Sequence, residues 1–378
     1  MAFKKLNSKK CVFILYLIFA TSVIYMIISL IITGGFKKII KEMVLDTTVS
    51  NYRAGALYSG YSKPFLPEYL IATALPSTMV ATQNLEFLNF NDFLNYNYFI
   101  EEDDEKKPNN DKGIGTIKDV TIKPKSDNGY LKYGNTFLID QSSKKPNLEE
   151  IMKSPLNLAF HPYDKGPQIL IYHTHNSESF NEGDLFSYNI GDDIRSQDNT
   201  KNVIAIGDTI EKNLEEKNVS VTHTITKNEM QEFNKSYSKS ELTAKSYLKK
   251  YPTINMSIDI HRDTIISESN EKYRTIAEID GKRAAQIMII VGTGSKELPN
   301  EHWQENLRTA IILQQKLESK YKDLCRPILI RDARYNMHLT HGSLLIEMGT
   351  DGNSLEEVEY SATLLSQALS ELINERIT

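Results

Sequence analysis

Short apolar segments alternate with amphipathic ones through the second half of the chain, from about residue 130 onward. The apolar segments are rich in Ile, Leu and Val, which is typical of strands buried on both faces of a parallel sheet. The segments between them carry apolar residues at helical spacing. This alternation predicts an α/β fold with a mostly parallel sheet flanked by helices. The predicted strands are 130–140, 168–175, 219–226, 254–261, 273–279, 284–292, 326–332 and 343–349, and the predicted helices are 146–156, 202–218, 240–251, 302–321 and 355–375.

Two of these segments carry finer predictions. The strands 273–279 and 284–292 are expected to be neighbours, because only a short connection separates them. The helix 355–375 is expected to begin directly after Ser354, since Glu357 stands at capping-box spacing from it.

A different pattern occupies the N-terminal end, where residues 11–33 are apolar and uncharged. Such a run is long enough to cross a membrane as a helix. Residues 1–10 contain four lysines, which favours a cytoplasmic N-terminus, although Lys37, Lys38 and Lys41 on the other side weaken that signal. We predict an uncleaved, single-pass membrane anchor with the rest of the chain outside the cytoplasm; a cleaved signal peptide is the alternative.

Residues 34–129 have no clear periodicity. The stretch 87–100 is rich in aromatic residues and Asn, and 101–113 is highly charged. We predict an extracytoplasmic stalk, partly disordered or helical, that carries a catalytic domain at 130–378. The alternative is that part of this region packs on the catalytic domain.

Charge and cysteine content narrow the function. The net charge is −5 and the basic residues are dispersed, which argues against a nucleic-acid partner. The two cysteines, Cys11 and Cys325, are far apart in the sequence, so we expect no disulfide framework.

Candidate chemistry lies at or near the ends of three predicted strands, one of which carries Glu347. His173, His175 and Glu178 stand at or just after the strand 168–175, and His261 ends another strand. Hydrolytic zinc sites use three protein ligands and leave one position for water. Because active residues of α/β sheets gather beyond the carboxyl ends of strands, these side chains predict a Zn²⁺ site. Which of the two histidines binds the metal depends on where the first strand ends.

A carboxylate in the middle of an apolar strand is a second sign of chemistry. Glu347 interrupts LLIEMG, where it is costly unless it is paired or functional. It is predicted to take a proton from the attacking water and to pass it to the leaving amine. The alternative is a salt bridge to Arg262 or Arg331. Asp259 and Asp263 are candidates for orienting a metal-binding histidine.

Other catalytic motifs do not fit. The chain has no G-x-S-x-G elbow and no H-E-x-x-H, and IIVGTGS lacks the third glycine of a dinucleotide-binding loop. A serine hydrolase and a helical zincin are therefore disfavoured.

Several stretches together resemble the stage II sporulation protein P family of endospore-forming bacteria. They are ILIYHTHNSESF (169–180), DIHRD (259–263), IIVGTGS (289–295) with HWQENL (302–307), and YNMHLTHGSLLIEMGTDGNSLEEVEYSATLLSQAL (335–369). The resemblance covers most of residues 130–375. The final stretch is also similar to the end of the zinc-dependent N-acetylmuramoyl-L-alanine amidases, which implies a zinc amidase-like fold.

The resemblance implies a peptidoglycan hydrolase that cuts the amide between N-acetylmuramic acid and L-alanine, with additional endopeptidase cleavage of stem-peptide cross-links. It implies action at the engulfing membrane during sporulation, with the sporulation proteins D and M as partners. Residue by residue, it implies His175 and His261 as zinc ligands and Glu347 as the catalytic glutamate. Glu178 is chosen as the acidic ligand, although in the related amidases this residue lies farther along the chain. Arg262 is expected to help hold the oxyanion.

Two other functions remain open. A non-catalytic peptidoglycan-binding scaffold of a sporulation complex would need no stoichiometric zinc. A membrane-anchored metallopeptidase would cut proteins rather than peptidoglycan.

Overall fold

The computed structural model describes residues 98–100, 113–124, 129–183, 186–190, 194–229, 235–267 and 269–377. The predicted membrane helix 11–33 and most of the predicted stalk 34–129 lie outside these residues. In the part of the chain that is described, no helix is long and apolar enough to cross a membrane.

An eight-stranded mixed sheet forms the centre of a mixed α/β fold. The spatial order of its strands is β4-β5-β13-β12-β14-β9-β6-β8. Neighbours run parallel except at the β4–β5 and β12–β14 junctions, so the prediction of a mostly parallel sheet is confirmed. Its strands are β4 (Leu131–Tyr133), β5 (Thr136–Gln141), β6 (Ile169–Tyr172), β8 (Val221–His223), β9 (Met256–Asp263), β12 (Ile287–Gly292), β13 (Ile328–Arg331) and β14 (Leu344–Thr350).

Among the described residues, five α-helices pack around this sheet, each at a position where the sequence predicts one. The last helix begins after Ser354, whose hydroxyl accepts from the backbone N–H of Glu357 while the Glu357 carboxylate accepts from the backbone N–H of Ser354. The predicted capping box is therefore confirmed. The helices are α1 (Leu148–Lys153), α2 (Val203–Glu215), α3 (Ser236–Lys250), α4 (Trp303–Lys320) and α5 (Leu355–Asn374).

Helices cover both faces of the sheet. The strand β6 is apolar throughout because both of its faces are buried. Ile169 and Ile171 belong to the main core, which α2 and α5 also help to form. Leu170 and Tyr172 point the other way and pack with Ala244 of α3. A strand with both faces buried needs apolar residues at every position, because neither face meets water.

Replacing Ser354 with alanine tests the start of α5. We expect a loss of about 1 kcal/mol in the free energy of unfolding, because the N-cap hydroxyl is removed. Denaturant unfolding of the two proteins measures the difference. Ser319→Ala near the end of α4 is the control, since that hydroxyl only donates to the carbonyl of Lys316 within its own helix, and it should change stability by much less.

A second, four-stranded sheet differs from the sequence prediction. Its strand order is β11-β10-β2-β7, and it takes up part of the range predicted as a stalk. Here β2 pairs in parallel with β10, so this part of 34–129 packs on the core, as in the alternative interpretation. The strands are β2 (Ile114–Val120), β7 (Ser187–Asn189), β10 (Glu271–Ile279) and β11 (Lys282–Ala285); a separate pair is formed by β1 (Tyr98–Ile100) and β3 (Ile122–Pro124).

The predicted adjacency of 273–279 and 284–292 is therefore only half correct. Residues 282–285, which include the first two residues of the second segment, pair with β10, but 287–292 belongs to the large sheet. Gln286 marks the change: its side-chain amide bonds to the backbone N–H and C=O of Ile122 and to the C=O of Asp323. These bonds satisfy backbone groups where the strand leaves one sheet for the other.

Ion pairs connect the small sheet to the last helix. Asp119 of β2 accepts from Arg274 of β10 at 2.5 Å and from Arg283 of β11 at 2.7 Å. Arg283 also lies 2.9 Å from Glu357 of α5. The loop after β7 contacts β9 and the segment that follows β6, since the carbonyl of Ile194 accepts from Arg262 and Arg195 forms a backbone bridge with Glu178.

Candidate active site

Three parallel neighbours, β6, β9 and β14, bring the predicted site residues to one place. Tyr172, the last residue of β6, is paired with Asp259 of β9, and His261 of β9 is paired with Glu347 of β14. The strand β9 continues through Arg262 to Asp263 rather than ending at His261 as predicted. His261 therefore lies within a buried strand and not at its tip.

The strand β6 ends before His173, so the two nearby histidines do not share a strand face. Nδ1 of His173 lies 3.1 Å from the carbonyl of Ile260, and its Nε2 lies 2.8 Å from Nε2 of His223. The ring of His175 instead lies 5.6 Å from that of His261, measured between centroids. The histidine nearer to the other site residues is therefore His175.

His261 lies between two buried carboxylates. Its Nδ1 is 3.3 Å from Oε2 of Glu178, and its Nε2 is 3.1 Å from Oδ1 of Asp259. Asp259 also accepts from the backbone N–H and the hydroxyl of Thr174, so its position is fixed. A carboxylate on one nitrogen and a ligand position on the other is the usual arrangement around a metal-binding histidine.

These contacts determine the charges in the site. Burial lowers the pKa of His261, but Asp259 and Glu178 outweigh burial and raise it well above its usual value. Burial raises the pKa of Glu178, yet the positive charge of His261 beside it brings it down to about 2. Burial lowers the pKa of His175, so this ring is neutral at pH 7.

Glu347 is fully buried, and within the described residues no hydrogen-bond partner is found for either of its carboxylate oxygens. Burial raises its pKa well above the ordinary value, and the nearby carboxylates of Asp263 and Glu178 add to this against the opposing effect of His261. A buried carboxylate without a hydrogen bond is costly, which is the expected condition of a group kept for chemistry rather than for stability.

Arg262 makes hydrogen bonds that the sequence did not predict. Its guanidinium donates to the carbonyls of Ser179 and Ile194 and to the hydroxyl of Thr264. Its backbone N–H donates to Oε2 of Glu178 at 3.1 Å. Arg262 thus holds the loop after β6 against β9 and positions Glu178; its contact with an oxyanion stays a prediction.

Glu229 lies in a loop with no motif around it, so it was not among the predicted site residues. Its Oε2 is 3.3 Å from Nδ1 of His175 and 2.9 Å from Arg195, and its Oε1 accepts from the backbone N–H of Ser177. Burial raises its pKa, but the hydrogen bond from His175 and the charge of Arg195 outweigh this and lower it. Glu229 orients His175 in the way that Asp259 orients His261.

We expect Glu229→Gln to weaken metal binding by about 10–100-fold, because loss of an orienting carboxylate typically costs that much. Gln keeps the shape of the side chain, so the fold should be retained. Zinc titration against a competing chelator measures the change. Glu241→Gln is the control, since Glu241 pairs with Arg334 and Lys245 away from this ring; equal affinities for the wild type and Glu229→Gln would remove Glu229 from this role.

A polar pocket lies next to the loop that follows Glu178. It has a volume of about 580 Å³ and is lined by residues of the loops on either side of β7, including Ser179 and Arg195. Arg195 forms a backbone bridge with Glu178. The pocket also carries Glu182 and Lys201, so a substrate entering it would meet charges of both signs next to the site.

Ligand atoms are more tightly gathered elsewhere in the described chain. Two groups each bring three such atoms within 4.8 Å of one another, and the predicted ligands His175, Glu178 and His261 do not form such a group. One group contains His223, which the sequence analysis did not select and which contacts His173. The two groups are His302, Glu305 and His341, and Asp208, Glu211 and His223.

Comparisons with known proteins agree with the motifs. A protein of Bacillus subtilis (strain 168), stage II sporulation protein P, is 30% identical over 217 residues, which are 54% of this chain and 50% of that protein. The chain thus spans about half the length of this curated relative. Solved structures that are similar include the CwlD amidase from Clostridioides difficile in complex with the GerS lipoprotein (TM-score 0.34, 14% identity, 55% of this chain and 98% of that chain) and the N-acetylmuramoyl-L-alanine amidase AmiC2 of Nostoc punctiforme (TM-score 0.32, 13% identity, 55% and 96%).

A family model gives the assignment. The model of stage II sporulation protein P (SpoIIP) matches residues 67–370, which is well over half of the chain. The chain belongs to the stage II sporulation protein P (SpoIIP) family.

Proposed function

We propose that this protein is a zinc-dependent peptidoglycan hydrolase of sporulation, which cuts the amide between N-acetylmuramic acid and L-alanine and also cleaves stem-peptide cross-links. Its family membership supports the setting in sporulation. The observation that carries the chemistry is the buried Glu347 carboxylate, which has no hydrogen-bond partner among the described residues and is paired in register with His261.

The residues around Glu347 fit a zinc ion. The Oε1 atom of Glu178 is buried and has no hydrogen-bond partner within the described residues, and neither ring nitrogen of His261 makes a hydrogen bond of good geometry there. Imidazole and carboxylate are ligands that zinc prefers. His175, Glu178 and His261 would hold the ion. When bound, zinc would supply polarisation of the scissile carbonyl and a more acidic water.

The chain's own residues would move the proton and hold the site rigid. Glu347 would accept a proton from the attacking water and deliver it to the departing nitrogen, which suits a carboxyl group whose pKa is raised. Asp259 and Glu229 orient the rings of His261 and His175. Arg262 keeps Glu178 in place through its backbone N–H and its guanidinium bonds to the loop after β6.

The pocket beside the site would receive the stem peptide. Arg195 and Lys201 offer positive charge, and Glu182 offers negative charge, along its wall. A stem peptide carries both carboxylates and amines, so it presents charges that could pair with these groups. The pocket adjoins Glu178, which would place the bond to be cut next to Glu347.

The proposed location is the outer face of the cell membrane around the developing spore. Its support is the apolar run 11–33, which would anchor the protein by a single helix with the N-terminus in the cytoplasm. The sporulation proteins D and M are the proposed partners. No nucleic-acid partner is proposed, in line with the net charge of −5.

Digestion of purified peptidoglycan by the full-length protein tests this function, with released fragments identified by mass spectrometry. We expect free stem peptides, and their release should stop when a chelator removes the metal and resume when zinc is restored. Casein is the control substrate and should remain intact. Tight binding to peptidoglycan without digestion, in protein with or without zinc, would instead support the non-catalytic scaffold.

A further inference from the structure

Two histidines and a glutamate meet at the edge of the large sheet opposite the candidate active site. His302 and Glu305 lie at the start of α4, and His341 lies in the turn before β14. Since β12 runs antiparallel to β14, the end of β12, which leads to α4, lies at the same edge as the start of β14. The carboxyl ends of β6 and β14 lie at the other edge. We call these three residues the α4 cluster.

The ligand atoms of the α4 cluster converge on one carboxylate oxygen. Nδ1 of His302 lies 3.3 Å from Oε2 of Glu305, and Nδ1 of His341 is hydrogen-bonded to the same oxygen. The two imidazole centroids are 4.1 Å apart. In a tetrahedral zinc site with bonds of 2.0–2.1 Å, ligand atoms are separated by roughly 3.3 Å. The spacing found here is therefore close to that of a bound ion's ligands.

Neighbouring residues hold the α4 cluster in place. The amide of Asn157 donates to Oε1 of Glu305, which directs Oε2 toward the two histidines. The amide of Asn306 donates to the carbonyl of Thr340 at 3.1 Å, which ties the start of α4 to the turn that carries His341. An orienting partner of this kind is what a metal-binding carboxylate normally has.

The charge and exposure of the α4 cluster also suit a cation. Glu305 supplies a carboxylate oxygen, and His302 and His341 each supply an imidazole nitrogen. The side chains of His302, Glu305 and His341 are 31%, 22% and 46% exposed, which lets an ion and a completing water reach them from solvent.

We propose that the α4 cluster binds a divalent transition-metal cation, with Zn²⁺ the expected ion because imidazole and carboxylate are among its usual ligands. The bound ion would join α4 to the turn that leads into β14, the strand that carries Glu347. This site is separate from the proposed catalytic one and does not depend on it. Without a metal, His341 is hydrogen-bonded to Glu305, and Nδ1 of His302 lies 3.3 Å from the same carboxylate oxygen.

Zinc stoichiometry of the full-length protein tests this proposal. Metal-free wild type and the double variant His302→Ala/His341→Ala are dialysed against zinc, and the bound metal is measured by mass spectrometry. We expect the variant to bind about one equivalent less than the wild type, whether or not the catalytic site also binds zinc. Loss of about one zinc equivalent from the double variant, together with normal hydrolysis, would support this site. The zinc content of a His261 variant bears on the catalytic site alone.

Further variants test whether a loss of zinc reflects misfolding or a nonspecific effect of the substitution. His302 makes no side-chain capping bond, so alanine there removes no cap. If the double variant does not fold, Glu305→Gln keeps the shape of the carboxylate and should still lose the ion. His161→Ala, a histidine outside the cluster, should bind as much zinc as the wild type, and Asn157→Ala should bind the α4 ion about tenfold more weakly. Equal zinc binding by the wild type and either cluster variant would overturn the proposal.

Discussion

Replacing Glu347 with glutamine is expected to lower the rate of peptidoglycan hydrolysis by about 10²–10⁴-fold, the usual contribution of a positioned acid–base group. Zinc content should not change, because Glu347 is not among the proposed ligands. The side chain is buried and its two oxygens have no hydrogen-bond partner among the described residues, so the amide replaces it without breaking a bond. Rate assays on soluble fragments released from peptidoglycan, alongside metal analysis, measure both quantities.

Two controls separate the role of Glu347 from a change in folding. In thermal unfolding, Glu347→Gln should be at least as stable as the wild type, because a buried carboxylate destabilises the folded protein. Glu357→Gln provides a comparison elsewhere, because Glu357 is a buried structural glutamate that caps α5 and pairs with Arg283; it should alter stability and leave the rate nearly unchanged. Wild-type rates in Glu347→Gln would remove Glu347 from catalysis.

Replacing His261 with glutamine is expected to remove zinc from the catalytic site and abolish hydrolysis. The loss of affinity should exceed about 100-fold, which is the upper range for losing only an orienting partner. Gln retains polar atoms near Glu178 and Asp259, so the two buried carboxylates keep a hydrogen-bonding neighbour. Competition against a chelator of known affinity gives the change.

The choice between His175 and His173 is tested in the same way. His175→Gln should behave like His261→Gln, because its ring lies beside that of His261. His173→Gln should retain zinc, because its ring contacts His223 and the carbonyl of Ile260. The reverse pattern, with zinc lost from the His173 variant and kept in the His175 variant, would overturn the assignment.

The sequence predicts the large sheet and the five helices because their segments are buried on defined faces. The apolar run of β6 and the capping box at Ser354 are local signals, and the structure contains both features as predicted. The small sheet is different: β2 pairs with β10, which lies more than 150 residues later. No local pattern specifies such a pairing, and the change of sheet at Gln286 depends on hydrogen bonds to Ile122 and Asp323.

The candidate site likewise contains residues that the sequence predicts and residues that it does not. Strand ends predict that His175, Glu178, His261 and Glu347 gather, and the pairing of β6, β9 and β14 brings them together. Glu229, which orients His175, lies in a loop that is distant from it in the sequence, and no motif marks that loop. The three residues of the α4 cluster were not predicted to lie together for the same reason, since His341 lies 36 residues beyond Glu305.

Locating zinc in crystals of the metal-loaded protein tests the central claim most directly. Diffraction data collected on either side of the zinc absorption edge give an anomalous peak wherever the ion is bound. The account predicts a peak among His175, Glu178 and His261, with Glu347 facing it. Absence of a peak there in crystals of active protein, or a peak bound by His173 and His223 instead, would contradict it.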